Sequence, residues 1–267
     1  MQIANKKPTF SQPNEFNEEA LEEDALEIDW QREERGEHTF PSGMKYTGQW
    51  LGNLPDGEGF QVFPDGGTYR GALRLGKAAG LGTFKYADGS TYVGPWEDDS
   101  AHGEGTYTQK DGSVYLGDWA SGRQHGKAIL IFPDGTRFEG RYKDGVKSGE
   151  GTVTYQGERA GCSYRGQFED DGFNGQGVYS WKDGRKYDGQ WQDNKMHGEA
   201  CFHFADGRTY VGQYVQGQRS GVGAYSWPDG RRYTGEIENG HQHGRGTFFD
   251  ANGRRWDGEW NMGKRVT

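Results

Sequence analysis

Apolar and polar residues alternate over short stretches of this chain, and the same stretch returns every 23 residues. Each copy opens on an aromatic residue, taken as position 0: Tyr46, Tyr69, Tyr92, Tyr115, Phe138, Tyr164, Tyr187, Tyr210, Tyr233 and Trp256. Position 2 is glycine in all ten copies, as at Gly48, Gly94, Gly117 and Gly189, and position 4 is large and apolar, as at Trp50, Trp96, Trp119 and Trp191. Positions 1 and 3 are mostly polar, and a period of two predicts a strand with one covered face. One interval departs from 23, the 26 residues between Phe138 and Tyr164. An internal period of this length makes the molecule an array of one small unit. Function is then expected on the surface of the array.

The second half of each copy completes a hairpin. Position 7 holds only Gly, Asn or Asp, which tolerate a left-handed backbone, so a turn is predicted there. Position 11 is glycine in all nine copies that reach it, and position 13 is glycine in seven and alanine in two, Ala128 and Ala200. Positions 15 and 17 are usually aromatic, and an Asp-Gly or Asn-Gly pair follows in eight of nine repeats, a strong hairpin signal. Pairing position 0 with 17 would set the position 2 glycine opposite 15 and the position 4 ring opposite 13. Rings then lie over missing side chains and pack flat without a second layer. The fold predicted is all-β, an elongated, twisted single-layer antiparallel sheet of consecutive hairpins. At about 4.8 Å per strand it forms a rod on the order of 90–100 Å long, with stability accumulating between neighbours.

Composition supports this economy. Only 31% of residues are hydrophobic, yet 14% are aromatic and 47 are glycine, so rings and glycines replace an aliphatic core. The net charge of −9 is concentrated at the start, where residues 1–45 carry 11 acidic and five basic residues. Residues 1–35 are read as an acidic extension; its stretch 14–35, with Phe16, Leu21, Ile28 and Trp30, carries a weakly amphipathic helical pattern. Such a helix would pack on the first hairpins and cover an edge; the alternative is a solvated tail. Residues 36–267 are the array: a half-repeat at 36–45, nine full repeats at 46–255 and a closing half-repeat at 256–263. The array is nearly neutral, with no basic block for nucleic acid and no apolar run near the ~18 residues of a membrane span. The N-terminus lacks the apolar core of a secretory signal, and Cys162 and Cys201 occupy unrelated positions. A cytoplasmic, reducing setting is expected.

Two stretches, Tyr187-Asp-Gly-Gln-Trp191…His197-Gly198 and Tyr92-Val-Gly-Pro-Trp96…His102-Gly103-Glu-Gly105-Thr-Tyr107, resemble the MORN repeat. The resemblance covers residues 46–267 and implies a long single sheet of hairpins used mainly as a protein scaffold, sometimes linked to membranes. It points to cytoskeletal and ciliary components, radial-spoke heads of the axoneme among them. The alternatives it raises are a phospholipid-associated adaptor and the regulatory part of a lipid-kinase-type protein. The partners expected are other proteins of an assembly, with self-association through the edge of the closing half-repeat; phospholipid is a weaker candidate.

No constellation in the sequence calls for catalysis, a cofactor or a metal. His102, His125, His197 and His243 share position 10, but neighbours roughly 10 Å apart cannot share one ion, and they are read as turn residues. The glycine-rich stretches lack the Gly-Lys-Ser/Thr and helix of a phosphate loop. Two irregularities carry more weight. On the face expected to be wet, Val93, Leu116, Ile129 and Ile131 form an apolar patch, with Leu116 placed opposite Ile131; such a patch marks a partner surface or the seat of the extension. The insertion at 156–163 lengthens one return turn, as tolerated growth or as a specific contact or kink.

Overall fold

The computed structural model describes residues 31–266. Among them, regular structure consists of 22 strands and one 3-10 turn, Gly157–Arg159. The strands sort into two compact units, one made of residues 31–133 and 142–145, the other of 134–141 and 146–266. Each is an open single layer of antiparallel hairpins between chain neighbours, as the alternation predicts.

The hairpin within each repeat closes on two residues. Leu51 pairs with Leu54 and Gln192 with Lys195, so positions 6 and 7 form the turn. Both have positive φ, 49° and 65° at Asp193 and Asn194, the type I′ geometry that matches strand twist. The position 7 N–H then donates to the position 9 carbonyl of the preceding repeat, as from Gly76 to Pro55 at 2.7 Å and from Gly217 to Met196 at 2.8 Å. Position 7 is restricted because it both turns the chain and ties consecutive repeats together.

The register differs from expectation by two residues at positions 0 and 2 and by four at position 4. Position 0 faces 15, as Tyr46 faces Gln61; position 2 faces 13, as Gly48 faces Gly59; position 4 faces 9, as Trp50 faces Pro55. The tight turn alone would displace the whole second strand by four residues. A bulge centred on the position 11 glycine, whose φ is +60° at Gly198 and +54° at Gly244, restores two of them for positions 0 and 2. A shift of two keeps every side chain on its predicted face while changing its partner. The bulge frees the position 12 N–H, and the side chain at position 3 takes it. Glu58 N–H donates to Gln49 Oε1 at 2.9 Å, and Lys127 N–H to Asp118 Oδ2 at 2.8 Å.

Glycine sockets for rings exist, with a different occupant. Eight position 0 tyrosines are 0% exposed although the sheet has one layer. Six of these rings, those with glycine at both places, lie against their own position 2 glycine and the facing position 13. All eight hydroxyls donate to the position 3 carbonyl, at 2.8 Å from Tyr69 to Ala72 and 3.0 Å from Tyr233 to Glu236. Position 4 rings pack edge-on against the tyrosine rings, with Trp96 and Trp119 at 5.0 and 5.2 Å from Tyr92.

The two glycines face different obstacles. A Cβ at Gly235 would sit 2.6 Å from the Arg245 carbonyl and 2.5 Å from Gly246 Cα, both backbone, whereas the atoms nearest to one at Gly246 belong to the Tyr233 side chain, its hydroxyl at 2.5 Å. This explains why position 2 admits no exception and position 13 admits Ala128 and Ala200. Gly235→Ala is therefore expected to lose about 3 kcal/mol in chemical denaturation, and Gly246→Ala about 1 kcal/mol.

The return turn is a three-residue loop. Gly66 N–H donates to Phe63 O and Phe63 N–H to Gly67 O, both at 2.9 Å, so the Asp-Gly pair builds a type I turn plus a left-handed glycine. The insertion replaces one such turn and makes a specific contact. Arg159 lies 3.8 Å from the Tyr155 ring centroid and donates to the Tyr179 hydroxyl at 2.5 Å.

Both ends of the array extend beyond the predicted bounds. The first strand, Glu33–Thr39, pairs with Lys45–Leu51, so Glu33 to Arg35 belong to the sheet and not to a helix; their backbone is held by the ladder, Glu33 opposite Trp50. The remainder of the predicted extension and its helix, residues 1–30, lie outside the described residues. The last hairpin continues into Lys264–Arg265, which pair back on Trp260 and Asn261.

Candidate functional site

In the first unit, alternation carries one set of side chains away from the rings, and there the apolar patch is found. Val93 is 51% exposed, Leu116 39% and Ile131 38%, with Ile129 half-buried. Cross-strand pairing joins Val93 to Thr106, Thr106 to Leu116 and Leu116 to Ile129 in one row. Ile131 pairs with Val114, not with Leu116, because of the two-residue shift in register. Sequence reading missed Val114, which shares the second row with Ile131, and the neighbouring pair Leu81 and Pro95, with Leu81 at 73% exposure. Its polar border includes Glu104 opposite Asp118. The result is a largely apolar stretch of the outer face, crossed by Thr106. The second unit also exposes apolar residues there, Val211, Val215 and Val222, with Val211 flanked by Cys201 and Ala224, but without Leu or Ile.

The second unit carries another surface, at its return turns. Position 17 rings there are half-buried and join the position 15 rings in an unbroken series: Trp181 to Phe202 at 5.7 Å, Phe202 to Phe204 at 4.7 Å, Phe204 to Tyr225 at 6.5 Å, Tyr225 to Trp227 at 5.9 Å. Over these rings lie Arg185, Arg208 and Arg231, with guanidinium carbons 5.2, 4.7 and 5.5 Å from the centroids of Trp181, Phe204 and Trp227. Each Nε–H donates to the aspartate two residues before it, at 2.8, 2.7 and 2.7 Å. Backbone and guanidinium donors hold the Asp183 and Asp206 carboxyls below their ordinary range. In the first unit the equivalent residues are small: Gly67, Ser90 and Ser113, the serines buried. The signal was present in the sequence as Asp-Gly-Arg at 183–185, 206–208 and 229–231.

Comparison with known proteins agrees with this architecture. The family model described as MORN repeat matches nine successive stretches, 46–68, 69–91, 92–114, 115–137, 138–157, 164–184, 187–207, 210–231 and 233–254. The chain belongs to the MORN-repeat family. No curated protein matches it. Among solved structures it is similar to the wild-type TCP10 domain of Danio rerio CPAP, at 14% identity and a TM-score of 0.41, over 77% of this chain and 96% of that one. It is also similar to the SAS-4 (dCPAP) TCP domain of Drosophila melanogaster, solved with a proline-rich motif of Ana2 (dSTIL), at 12% identity and a TM-score of 0.21, over 84% and 88% of the two chains. Likenesses this distant carry no functional argument.

Within the MORN array, the repeat-defining residues Tyr46, Gly48, Trp50, Tyr92, Gly94, Trp96, Tyr115, Gly117, Trp119, Tyr187, Gly189 and Trp191 make up the ring face and its sockets. The histidines lie at the bulge. The His102 carbonyl accepts from Tyr92 at 3.4 Å while its ring meets Glu97 at 3.2 Å, and His243 meets Glu238 at 3.1 Å. Among the described residues, no group of three or more His, Cys, Asp or Glu side chains could hold a metal ion, and no helix is long and apolar enough to cross a membrane.

Proposed function

We propose that this MORN protein is a non-enzymatic scaffold whose first unit binds a partner protein through its apolar outer face. The observation that carries the reading is the cluster of Leu116, Ile129, Val114 and Ile131 on two paired strands, extended across Thr106 to Val93, on the face where the repeat places mostly polar residues. A contiguous exposed apolar patch with a polar border is the usual mark of a contact surface. A cytoskeletal or ciliary setting for the assembly is part of this proposal, suggested by the resemblance to MORN scaffolds, and proximity labelling from native cells tests it. Recovery of axonemal or cytoskeletal neighbours is the expected result.

Membrane attachment is the second reading, because the second unit bears arginines at its turns. Each of Arg185, Arg208 and Arg231 is matched by its own aspartate, which lowers the attraction to anionic lipid from the ~1 kcal/mol of a free basic residue. Flotation with phosphatidylserine-rich and neutral vesicles separates the readings. Weak binding to both, at most modestly greater for the anionic vesicles, is expected, and tight, salt-sensitive binding to the anionic vesicles would reverse the ranking.

A further inference from the structure

The arginine–ring row of the second unit and the acidic start of the chain are chemically complementary. Residues 14–30 contain eight carboxylates and no basic residue, interspersed with Phe16, Leu21, Ile28 and Trp30. In the second unit, the return turns at 182–186, 205–208, 228–232 and 250–255 carry eight Lys or Arg against four Asp. In the first unit, the turns at 40–45, 63–68, 86–91 and 109–114 carry three Asp and two Lys. An acidic segment therefore finds no basic row at the turns of the first unit and is attracted by those of the second.

We propose that the row formed by Trp181, Phe204 and Trp227 with Arg185, Arg208 and Arg231 is the docking site for residues 14–30 of a second copy of this chain. Equivalent residues of adjacent repeats are two strands apart, roughly 9.6 Å. Glu15, Glu22 and Asp29 recur every seven residues, which in the helix predicted by the pattern is about 10.5 Å. One carboxylate thus meets each successive arginine. Each resident aspartate takes only the Nε–H, leaving the terminal guanidinium donors for an incoming carboxylate. The half-buried rings between them offer an apolar bed for Leu21 and Ile28, so the site recognises an acidic segment with apolar residues rather than acid alone.

The test uses the full chain and light scattering after sizing. At low salt it should self-associate with concentration, and about 0.5 M salt should weaken this at least ~30-fold. A ladder variant (Arg185→Glu, Arg208→Glu, Arg231→Glu) and a segment variant (Glu15→Lys, Glu22→Lys, Asp29→Lys) should each be monomeric with unchanged near-ultraviolet circular dichroism. Mixed together they should form a one-to-one complex, since one retains the segment and the other the ladder. A monomeric native chain, or failure of the two variants to combine, would overturn the proposal. Self-association that survives both sets of substitutions would also overturn it and assign the contact to the Arg255–Asn261 edge.

Discussion

Raised through alkaline pH, the protein should show no phenolate absorbance until it unfolds, and then ionise its tyrosines and lose its structure in the same transition. All fifteen tyrosines lie among the described residues and none is exposed. The eight at position 0 are fully buried, and burial pushes their phenols upward, to about 12 at Tyr233 and higher at the others. In the unfolded chain a phenol ionises near pH 10. Folded phenols hold their protons more tightly, so the stabilisation is complete below pH 10 and is lost as pH rises through the folded values. Each tyrosine that ionises only on unfolding lowers stability by up to ~1.4 kcal/mol per pH unit above 10, and eight together by on the order of 10 kcal/mol per unit. Absorbance at 295 nm and far-ultraviolet circular dichroism, recorded on one titration, check this. A gradual phenolate rise centred on pH 10 that precedes the loss of structure would contradict the socketed-ring arrangement.

Leu116→Asp combined with Ile131→Asp should abolish partner binding, at least ~100-fold, while leaving the array folded. Both side chains lie away from the rings and are more than a third exposed, so their replacement removes little buried surface. The expected loss of stability is about 1–2 kcal/mol, mostly from placing aspartate in strands. In a complex the same two carboxylates would be desolvated against an apolar partner without a counter-charge, which is far more costly. The alkaline midpoint of the double variant should therefore stay close to that of the native chain while its binding isotherm disappears.

The turns and the face assignment were legible because they rest on chemistry that one residue type can report. Alternation with period two separates Tyr187, Gly189 and Trp191 from Asp188 and Gln190, and Asn194 can be read as a turn from its tolerance of positive φ. Register was not legible. A glycine such as Gly198 reads equally as a strand glycine beneath a ring or as the left-handed residue of a bulge, and only the second sets Gly189 against Ala200. The apolar patch survived that error because a shift of two preserves the face, though it exchanged Ile129 for Ile131 as the partner of Leu116. The arginine row was missed for a related reason. Arg208 reads as a turn residue until the loop is seen to fold it back over Phe204.

The claim that the first unit's outer face is the partner site is tested most directly by photocrosslinking from that face. A photoreactive residue in place of Thr106, which lies between Val93 and Leu116, is compared with one in place of Thr234 on the outer face of the second unit. In extracts of native cells the Thr106 probe should yield one saturable protein adduct that disappears with Leu116→Asp and Ile131→Asp, and the Thr234 probe should yield none. Equal adducts from both positions, or an adduct that persists in the double variant, would contradict it.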